Sequence, residues 1–204
     1  YFESRGGMFP ETVFFGLQYY LKEYLEGAVV TMEDIHEAEQ LFAVHFGTAD
    51  LFNREGWEHI VQNHGGKLPI RIKAAPEGTV LPIRNVMMTV ENTDPKCFWL
   101  TNYIETLLVK VWYPMTIATS SREIRKVIDR YLIETGTPGD HAFKCHDFGY
   151  RGVSSEETAA IGGMAHLTSF MGTDTMAAFM CAGRYYNAEM AGFSIPASEH
   201  STIT

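Results

Sequence analysis

Three short stretches of the sequence combine side chains that could bind or react with a ligand. In the first, residues 146–155 (HDFGYRGVSS), a predicted strand runs into a loop and then into a helix that a Ser154–Glu157 capping box would start. Unpaired N–H groups at a helix start attract anions, and Arg151 would add a forked cationic donor beside them. Phe148 would lie at the loop mouth, where its ring could stack on a planar ligand. Alternatively, Phe148 is a core residue and Arg151 pairs with a surface carboxylate.

The other two stretches each carry one ionisable candidate. Asp174, in residues 172–175 (GTDT), stands before a predicted helix and either caps that helix or accepts a hydrogen bond from a ligand amide. Residues 194–202 follow a predicted strand and combine Ser194 with Glu199 and His200. They could hold a phosphate or a reactive imidazole, and a purely structural histidine is the alternative.

The sequence does not predict a metal site. Its cysteines, Cys97, Cys145 and Cys181, lack metal-ligand spacing. They are expected to be core or semi-buried thiols in a reducing compartment rather than a disulfide framework or a zinc site. The remaining histidines, His59 among them, are expected at packing or surface positions on amphipathic helices rather than in a ligand cluster.

The charge balance and the hydropathy of the chain exclude some classes of partner. Lys and Arg total 16 against 25 Asp and Glu, a net charge of −9 over 204 residues. Nucleic-acid binding usually needs a dense basic face, so no nucleic-acid partner is expected, whereas a few arginines suffice for a small phosphorylated ligand. No apolar run approaches the roughly 18–20 residues of a membrane helix, and no signal peptide is recognisable. The expected location is cytoplasmic, and both chain ends look cut.

Hydrophobic periodicity divides the chain into segments. It predicts helices at about 13–25, 31–46 and 53–63, short strands within 68–91, a helix from Asp94 and Pro95 to Pro114, and another over 121–135. After the loop 136–140, a strand (142–147), two helices (154–170 and 174–186) and a strand (192–195) alternate. Such alternation is typical of parallel α/β structure, so a domain boundary is predicted at residues 138/139.

Five blocks, in order along almost the whole chain, resemble the nicotinamide phosphoribosyltransferase family. They are residues 11–18 (ETVFFGLQ), 89–95 (TVENTDP), 146–155 (HDFGYRGVSS), 172–175 (GTDT) and 199–204 (EHSTIT). The resemblance implies an α/β protein with an N-terminal α+β domain over residues 1–138. The first part of an irregular phosphoribosyltransferase-type α/β barrel would follow over residues 139–204.

The resemblance also implies roles for the residues of the base-binding site. Phe148 resembles the ring that stacks on nicotinamide, with a tyrosine of the partner subunit, which would precede Tyr1, on the other face. Asp174 resembles the carboxylate that accepts from the carboxamide NH₂, and Ser194 occupies the position that binds on the amide-oxygen side.

Three further residues resemble groups that handle phosphate. Arg151 resembles a residue that contacts the product phosphate or the diphosphate, and Arg5 one that reaches diphosphate across a homodimer interface. His200 resembles a catalytic histidine that is transiently phosphorylated when ATP hydrolysis is coupled to synthesis.

The reaction so implied condenses nicotinamide with 5-phosphoribosyl 1-diphosphate to nicotinamide mononucleotide and diphosphate, in NAD salvage. Mg²⁺ would accompany the diphosphate substrate and ATP would be a coupled activator, in a homodimer with a shared active site. Family residues beyond the barrel's first part are missing, so the isolated segment is expected to be inactive. The alternatives are a nicotinate phosphoribosyltransferase, for the acid rather than the amide, and a non-catalytic fragment acting as an interaction protein.

Overall fold

The computed structural model describes residues 1–203 and has a mixed α/β fold, as predicted. It divides into two units, each discontinuous in sequence. Unit 1 comprises Tyr1–Glu3, Tyr19–Ala75 and Val86–Lys110, and unit 2 comprises Ser4–Gln18, Pro76–Asn85 and the chain from Val111 onward. This division differs in kind from the domain boundary predicted at 138/139, which stays a prediction. Thr204, the last residue of the block 199–204 and of the predicted second domain, lies outside the described residues.

Strands and helices alternate irregularly along the chain. In chain order the strands are β1 (Phe2–Glu3), β2 (Glu11–Val13), β3 (Ile70–Ala74), β4 (Val80–Pro82) and β5 (Val86–Asn92). The helices are α1 (Leu17–Tyr20, continued by a π-helical turn, Leu21–Leu25), α2 (Met32–Phe46), α3 (Arg54–His64), α4 (Leu100–Leu108), α5 (Trp112–Thr135), α6 (Glu156–His166) and α7 (Met176–Tyr186). Short 3₁₀ helices cover Pro95–Cys97, Val109–Val111, Gly149–Gly152 and His200–Thr202.

Unit 1 holds an antiparallel sheet in the order β1–β5–β3, together with α2, α3 and α4. In β3, half-buried Ile70 and Ile72 alternate with exposed Arg71, the pattern of a strand with one face on a core. The core of the unit is formed by large apolar side chains from the helices and from β5, among them Ile35, Ile60, Met87, Leu100 and Ile104.

Helix α2 begins and ends where the sequence predicts. Thr31 accepts a hydrogen bond from the backbone N–H of Asp34, while the Asp34 carboxylate accepts from the N–H of Thr31, which completes a capping box. Gly47 closes the helix at φ +73°, a left-handed conformation that glycine adopts without a Cβ penalty.

The histidines of α3 differ from the sequence prediction. His59 and His64 were expected to be isolated packing or surface residues. Instead, Nε2 of each ring lies within hydrogen-bond distance of the same oxygen, Oδ2 of Asp94, at 2.7 and 2.8 Å. Because Asp94 lies 35 residues beyond His59, no local spacing pattern could have indicated this cluster.

Unit 2 pairs β2 with β4 and packs α6 against both α5 and α7. Close approach of these helices depends on two adjacent glycines. A Cβ on Gly162 would lie 2.5 Å from the hydroxyl of Tyr113, and one on Gly163 would lie 2.6 Å from the Cβ of Ala178. The pair therefore allows α6 to lie closer to both neighbouring helices than larger residues would permit.

The predicted first helix begins four residues later than expected. Residues 11–13 form β2, because Thr12 pairs with Leu81 of β4 and the N–H of Val13 donates to Thr119 Oγ1 at 2.9 Å. Gly16, at φ +103°, then turns the chain into α1, and a Cβ there would lie only 2.4 Å from the ring of Pro114. Long-range pairing here overrides the helical periodicity of the segment.

The sequence predicts that a helix ends at Pro114. Instead, Pro114 lies in the first turn of α5. The N–H groups of the first turn have no partner within a helix, so a proline costs little there. Helix α5 consequently runs without a break from Trp112 to Thr135. The predicted helix over 121–135 is the C-terminal part of α5.

The regular strands predicted at 142–147 and 192–195 are absent from the described residues. In their place, single parallel bridges join Asp147 to Thr173 and Gly172 to Phe193. The predicted parallel alternation is thus present as three short segments, which are joined by these two bridges and separated along the chain by α6 and α7. No helix within residues 1–203 combines the length and the apolar character that crossing a membrane requires.

Candidate functional site

The parallel bridges bring three loops to one edge of unit 2. The N–H of Asp147 donates to the carbonyl of Gly172 at 3.0 Å, and the N–H of Asp174 donates to the carbonyl of Asp147 at 3.0 Å. The N–H of Thr173 donates in turn to the carbonyl of Phe193 at 2.9 Å. Because the segments run in the same direction, the residues that follow them lie at a common carboxyl edge, where α/β proteins bind ligands.

Asp174 is held at this edge as an acceptor. The hydroxyl of Ser194 donates to Oδ1 of Asp174 in a short hydrogen bond. Helix α7 begins after Thr175, which makes no side-chain capping bond, so Asp174 is not the cap that the alternative interpretation required. The Ser194 hydroxyl and, to a lesser extent, the neighbouring imidazole of His146 lower the pKa of Asp174. The carboxyl group is therefore ionised at neutral pH.

His146 joins Asp174 to Phe148, and sequence reasoning assigned it no role. Its side chain is only 6% exposed, and its Nε2 lies 3.4 Å from Oδ2 of Asp174 without the geometry of a hydrogen bond. Neither ring nitrogen has a hydrogen-bond partner within residues 1–203. Gly172 makes room for the ring, since a Cβ there would lie 2.6 Å from Nδ1. In the sequence, His146 is indicated by its position at the end of a predicted strand and at the start of the block 146–155.

Phe148 presents its ring at the surface of the site. The residue is 56% exposed, which excludes the core interpretation, and its ring centroid lies 4.5 Å from that of His146 at an interplanar angle of 36°. The preceding residue, Asp147, shapes the loop by accepting from the N–H of Gly149 at 2.8 Å and from the Thr173 hydroxyl at 3.1 Å. One aromatic face beside one carboxylate can recognise a flat ring that bears an amide.

Arg151 and His200 meet through Glu199, a second residue to which the sequence analysis gave no separate role. Nδ1 of His200 lies 2.7 Å from Oε1 of Glu199, and Nη2 of Arg151 lies 3.9 Å from the same oxygen. The side chains of Arg151 and His200 are 80% and 88% exposed. At that distance and exposure the Arg151–Glu199 pair is weak, so most guanidinium donors of Arg151 face solvent.

One further expectation differs from what is observed. The cap of α6 is Ser155, whose hydroxyl accepts from the N–H of Thr158 at 3.1 Å, and not Ser154 with Glu157. The five residues Phe148, Arg151, Asp174, Ser194 and His200 belong to the loops just described. Arg5 is exposed and lies in the segment Ser4–Gln18 of the same unit, and its contact with diphosphate across a dimer interface stays a prediction.

The two ends of the chain each match a family model of phosphoribosyltransferases. Residues 1–72 match the family model of the N-terminal domain of nicotinamide phosphoribosyltransferase. Residues 143–204, which contain the candidate site except Arg5, match the model of the nicotinate phosphoribosyltransferase family. Both models describe phosphoribosyltransferases whose names contain a pyridine base, nicotinamide in one case and nicotinate in the other.

Similar full-length sequences carry the first of these two names. A nicotinamide phosphoribosyltransferase of Xanthomonas campestris pv. campestris is 52% identical over 206 residues, which cover 100% of this chain and 43% of the relative. One from Acinetobacter baylyi is 38% identical and one from Mycoplasma pneumoniae 34%, over 94% and 70% of this chain and 39% and 30% of the relatives. The chain is thus similar over its whole length to a nicotinamide phosphoribosyltransferase, and it spans less than half the length of these relatives.

Proposed function

We propose that the protein transfers the 5-phosphoribosyl group of 5-phosphoribosyl 1-diphosphate to the ring nitrogen of nicotinamide, forming nicotinamide mononucleotide and diphosphate in NAD salvage. The observation that carries the proposal is the juxtaposition of an ionised Asp174, oriented by Ser194, with the exposed ring of Phe148. The names of the relatives support the same reaction.

Asp174 is proposed to select the amide over the acid. The NH₂ group of a carboxamide donates to a carboxylate, whereas nicotinate would bring a second negative charge against Asp174. Ser194 already occupies Oδ1, so the amide is proposed to use Oδ2, which lies on the side of His146. Phe148 would stack on the pyridine face and leave the ring nitrogen free to attack.

Arg151 is proposed to bind the phosphate or diphosphate groups with its solvent-facing donors. The transition state of such a displacement has oxocarbenium character, so the protein acts chiefly by positioning the reactants and stabilising charge. The substrate is proposed to arrive as its Mg²⁺ complex, because diphosphate oxygens are the ligands that this ion prefers.

His200 is proposed to take part in coupling to ATP, which supplies a phosphoryl group when bound. Glu199 lies beside Nδ1 of the exposed ring and can accept a hydrogen bond from its N–H, which keeps the proton on Nδ1. In the neutral ring, Nε2 then keeps its lone pair and faces outward as a nucleophile. This arrangement fits a transiently phosphorylated histidine.

A homodimer with a shared active site and a cytoplasmic location are also proposed. In the dimer, Arg5 of one subunit would reach the diphosphate bound by the other. Cys97 and Cys145 form no disulfide with each other, which supports a reducing compartment.

Replacing Asp174 tests the proposed base recognition. In the full-length protein, Asp174→Ser should lower the ratio of kcat/KM for nicotinamide to that for nicotinate by roughly ten- to a hundredfold, the usual effect of removing a charged hydrogen-bond acceptor. Glu189→Ser is the matched control, since Glu189 is an exposed carboxylate outside the site, and should leave the ratio unchanged.

The same measurements decide between the alternatives. A wild-type protein that prefers nicotinate would support the nicotinate phosphoribosyltransferase suggested by the match over residues 143–204. An unchanged ratio in Asp174→Ser would disprove the role of Asp174. A wild-type protein that makes no mononucleotide from either base would support the non-catalytic interaction protein.

A further inference from the structure

A cluster of metal-ligating side chains lies in unit 1, and none of its residues belongs to the candidate site. His59 and His64 lie in the last two turns of α3, and Asp94 is the cap of the 3₁₀ helix Pro95–Cys97. Nε2 of His59 and Nε2 of His64 lie 2.7 and 2.8 Å from Oδ2 of Asp94. The three ligand atoms all lie within 4.8 Å of one another, and among residues 1–203 this is the one such cluster.

The arrangement of the rings suits a common ligand. The two imidazole centroids are 5.6 Å apart with an interplanar angle of 70°, so the rings converge on the carboxylate from different directions. The three side chains are 18–30% exposed. The cluster is thus open enough on one side for a water molecule to reach it, as zinc sites with three protein ligands require.

The charge of the cluster also suits a divalent cation. Hydrogen bonds from His59, then from His64, then from the N–H of Lys96 lower the pKa of Asp94 strongly, so the carboxyl group is ionised at neutral pH. The Lys96 bond reaches Oδ1 at 2.9 Å and leaves Oδ2 directed at the rings. One carboxylate and two neutral imidazoles give a set of hard and borderline ligands with a charge of −1.

We propose that His59 Nε2, His64 Nε2 and Asp94 Oδ2 bind a divalent transition-metal ion, Zn²⁺, with water as the fourth ligand. Zinc–nitrogen and zinc–oxygen bonds of about 2.0–2.2 Å require the ligand atoms to spread by a few tenths of an ångström around the ion. The ion joins the end of α3 to the segment that leads into α4.

Metal binding requires the neutral rings of His59 and His64 to change tautomer. No proton is released in that change. The proton that each Nε2 donates to Asp94 moves to Nδ1, which frees the Nε2 lone pair for the metal. Nδ1 of His59 lies 3.0 Å from the side-chain amide of Asn63. Metal binding therefore requires this amide to give up its 3.1 Å bond to the carbonyl of His59 and to turn its oxygen, or admit a water molecule, toward Nδ1.

The test is metal binding by the full-length protein after treatment with a chelator. Zn²⁺ is titrated against a chromophoric competitor, and Co²⁺ is added separately because its visible spectrum reports four-coordinate geometry. The wild type should bind Zn²⁺ in one site that His64→Ala and Asp94→Asn each weaken by about a hundredfold or more. Asn still caps a helix, so Asp94→Asn removes the charged ligand while keeping the cap.

His36→Ala is the matched control, because His36 is an exposed histidine of α2 whose ring contacts Gln40. It should bind Zn²⁺ as the wild type does. Zn²⁺ should raise the melting temperature of the wild type and of this control, but not of the two ligand variants. Equal Zn²⁺ affinity in the wild type and in Asp94→Asn, or a tetrahedral Co²⁺ spectrum that survives both substitutions, would overturn the proposal. None of these readouts depends on transferase activity.

Discussion

At the scale of single residues, the candidate site depends on how one carboxylate is held. Asp174 has Ser194 on one oxygen and the buried ring of His146 beside the other. Both neighbours favour the charged form, so its pKa lies below the ordinary value and the acceptor stays ionised well into the acidic range. His146 fills the space between the carboxylate and the ring of Phe148, and we therefore propose that it positions both.

The proposed role of His200 predicts a selective loss. His200→Ala should abolish the stimulation of mononucleotide synthesis by ATP while slow synthesis without ATP continues, because the imidazole handles the phosphoryl group and not the base. Initial rates with and without ATP measure the effect. His45→Ala, at an exposed histidine of α2, should retain the stimulation. An equal loss of both rates in His200→Ala would indicate a structural imidazole instead.

At the scale of elements, the boundaries of α2 depend on side-chain hydrogen bonds that the sequence encodes locally. Thr31 and Asp34 are three residues apart, and each side chain satisfies a backbone N–H of the other. The Thr31 hydroxyl and then its backbone N–H lower the pKa of Asp34. A carboxyl group with a lowered folded-state pKa stabilises the fold above its unfolded-state pKa, and the contribution is lost as the pH falls through the folded value.

Removing the cap should therefore have a cost that depends on pH. Thr31→Ala should lower the free energy of unfolding at pH 7 by about 1 kcal/mol, the typical value of an N-cap. The difference from wild type should shrink as the pH falls below about 3.8, the ordinary pKa of the carboxyl group, and then through the lower pKa of Asp34 in the folded state. Urea denaturation at neutral and acidic pH measures this difference. Glu33→Gln, in the same helical turn, should cost less, and a difference that grows on acidification would contradict the assignment.

At the scale of the whole molecule, the proposed site combines residues from both ends of unit 2. Phe148, Asp174 and Ser194 lie on loops that the parallel bridges bring together. Arg5 is exposed and lies in the segment Ser4–Gln18 of the same unit. It is proposed to serve the site of the other subunit of a homodimer.

Sharing of sites predicts complementation between inactive subunits. Arg5→Ala and Asp174→Ala should each be strongly impaired, but co-expressed subunits should recover up to about one quarter of wild-type activity, because mixed two-fold dimers restore one intact site. Activity of the purified, unfractionated population of co-expressed dimers measures the recovery. Asp174→Ala co-expressed with Phe148→Ala should show none, since both residues belong to the same subunit's site. Failure of the first pair to recover would argue against the shared site.

The sequence by itself determined the locally encoded features of this protein. These features depend on residues only a few positions apart in the sequence. They are the ends of α2 and α3, the strands β3 and β5, and the start of the 3₁₀ helix at Asp94. The same is true of the motif blocks, which pointed to the loops at residues 146–155 and 172–175. Hydrophobic period, capping geometry and turn chemistry act over that range and can be recognised in a linear string.

Only the tertiary structure decided the pairings between distant residues. Thr119, 107 positions beyond Thr12, helps to hold residues 11–13 in β2, so the first helix begins later than predicted. Ser194, 20 positions beyond Asp174, orients the carboxylate. The burial of His146 and the convergence of His59 and His64 on Asp94 arise in the same way. Such contacts depend on how helices and loops pack together, and local sequence patterns contain no information about which distant partner will fill the space.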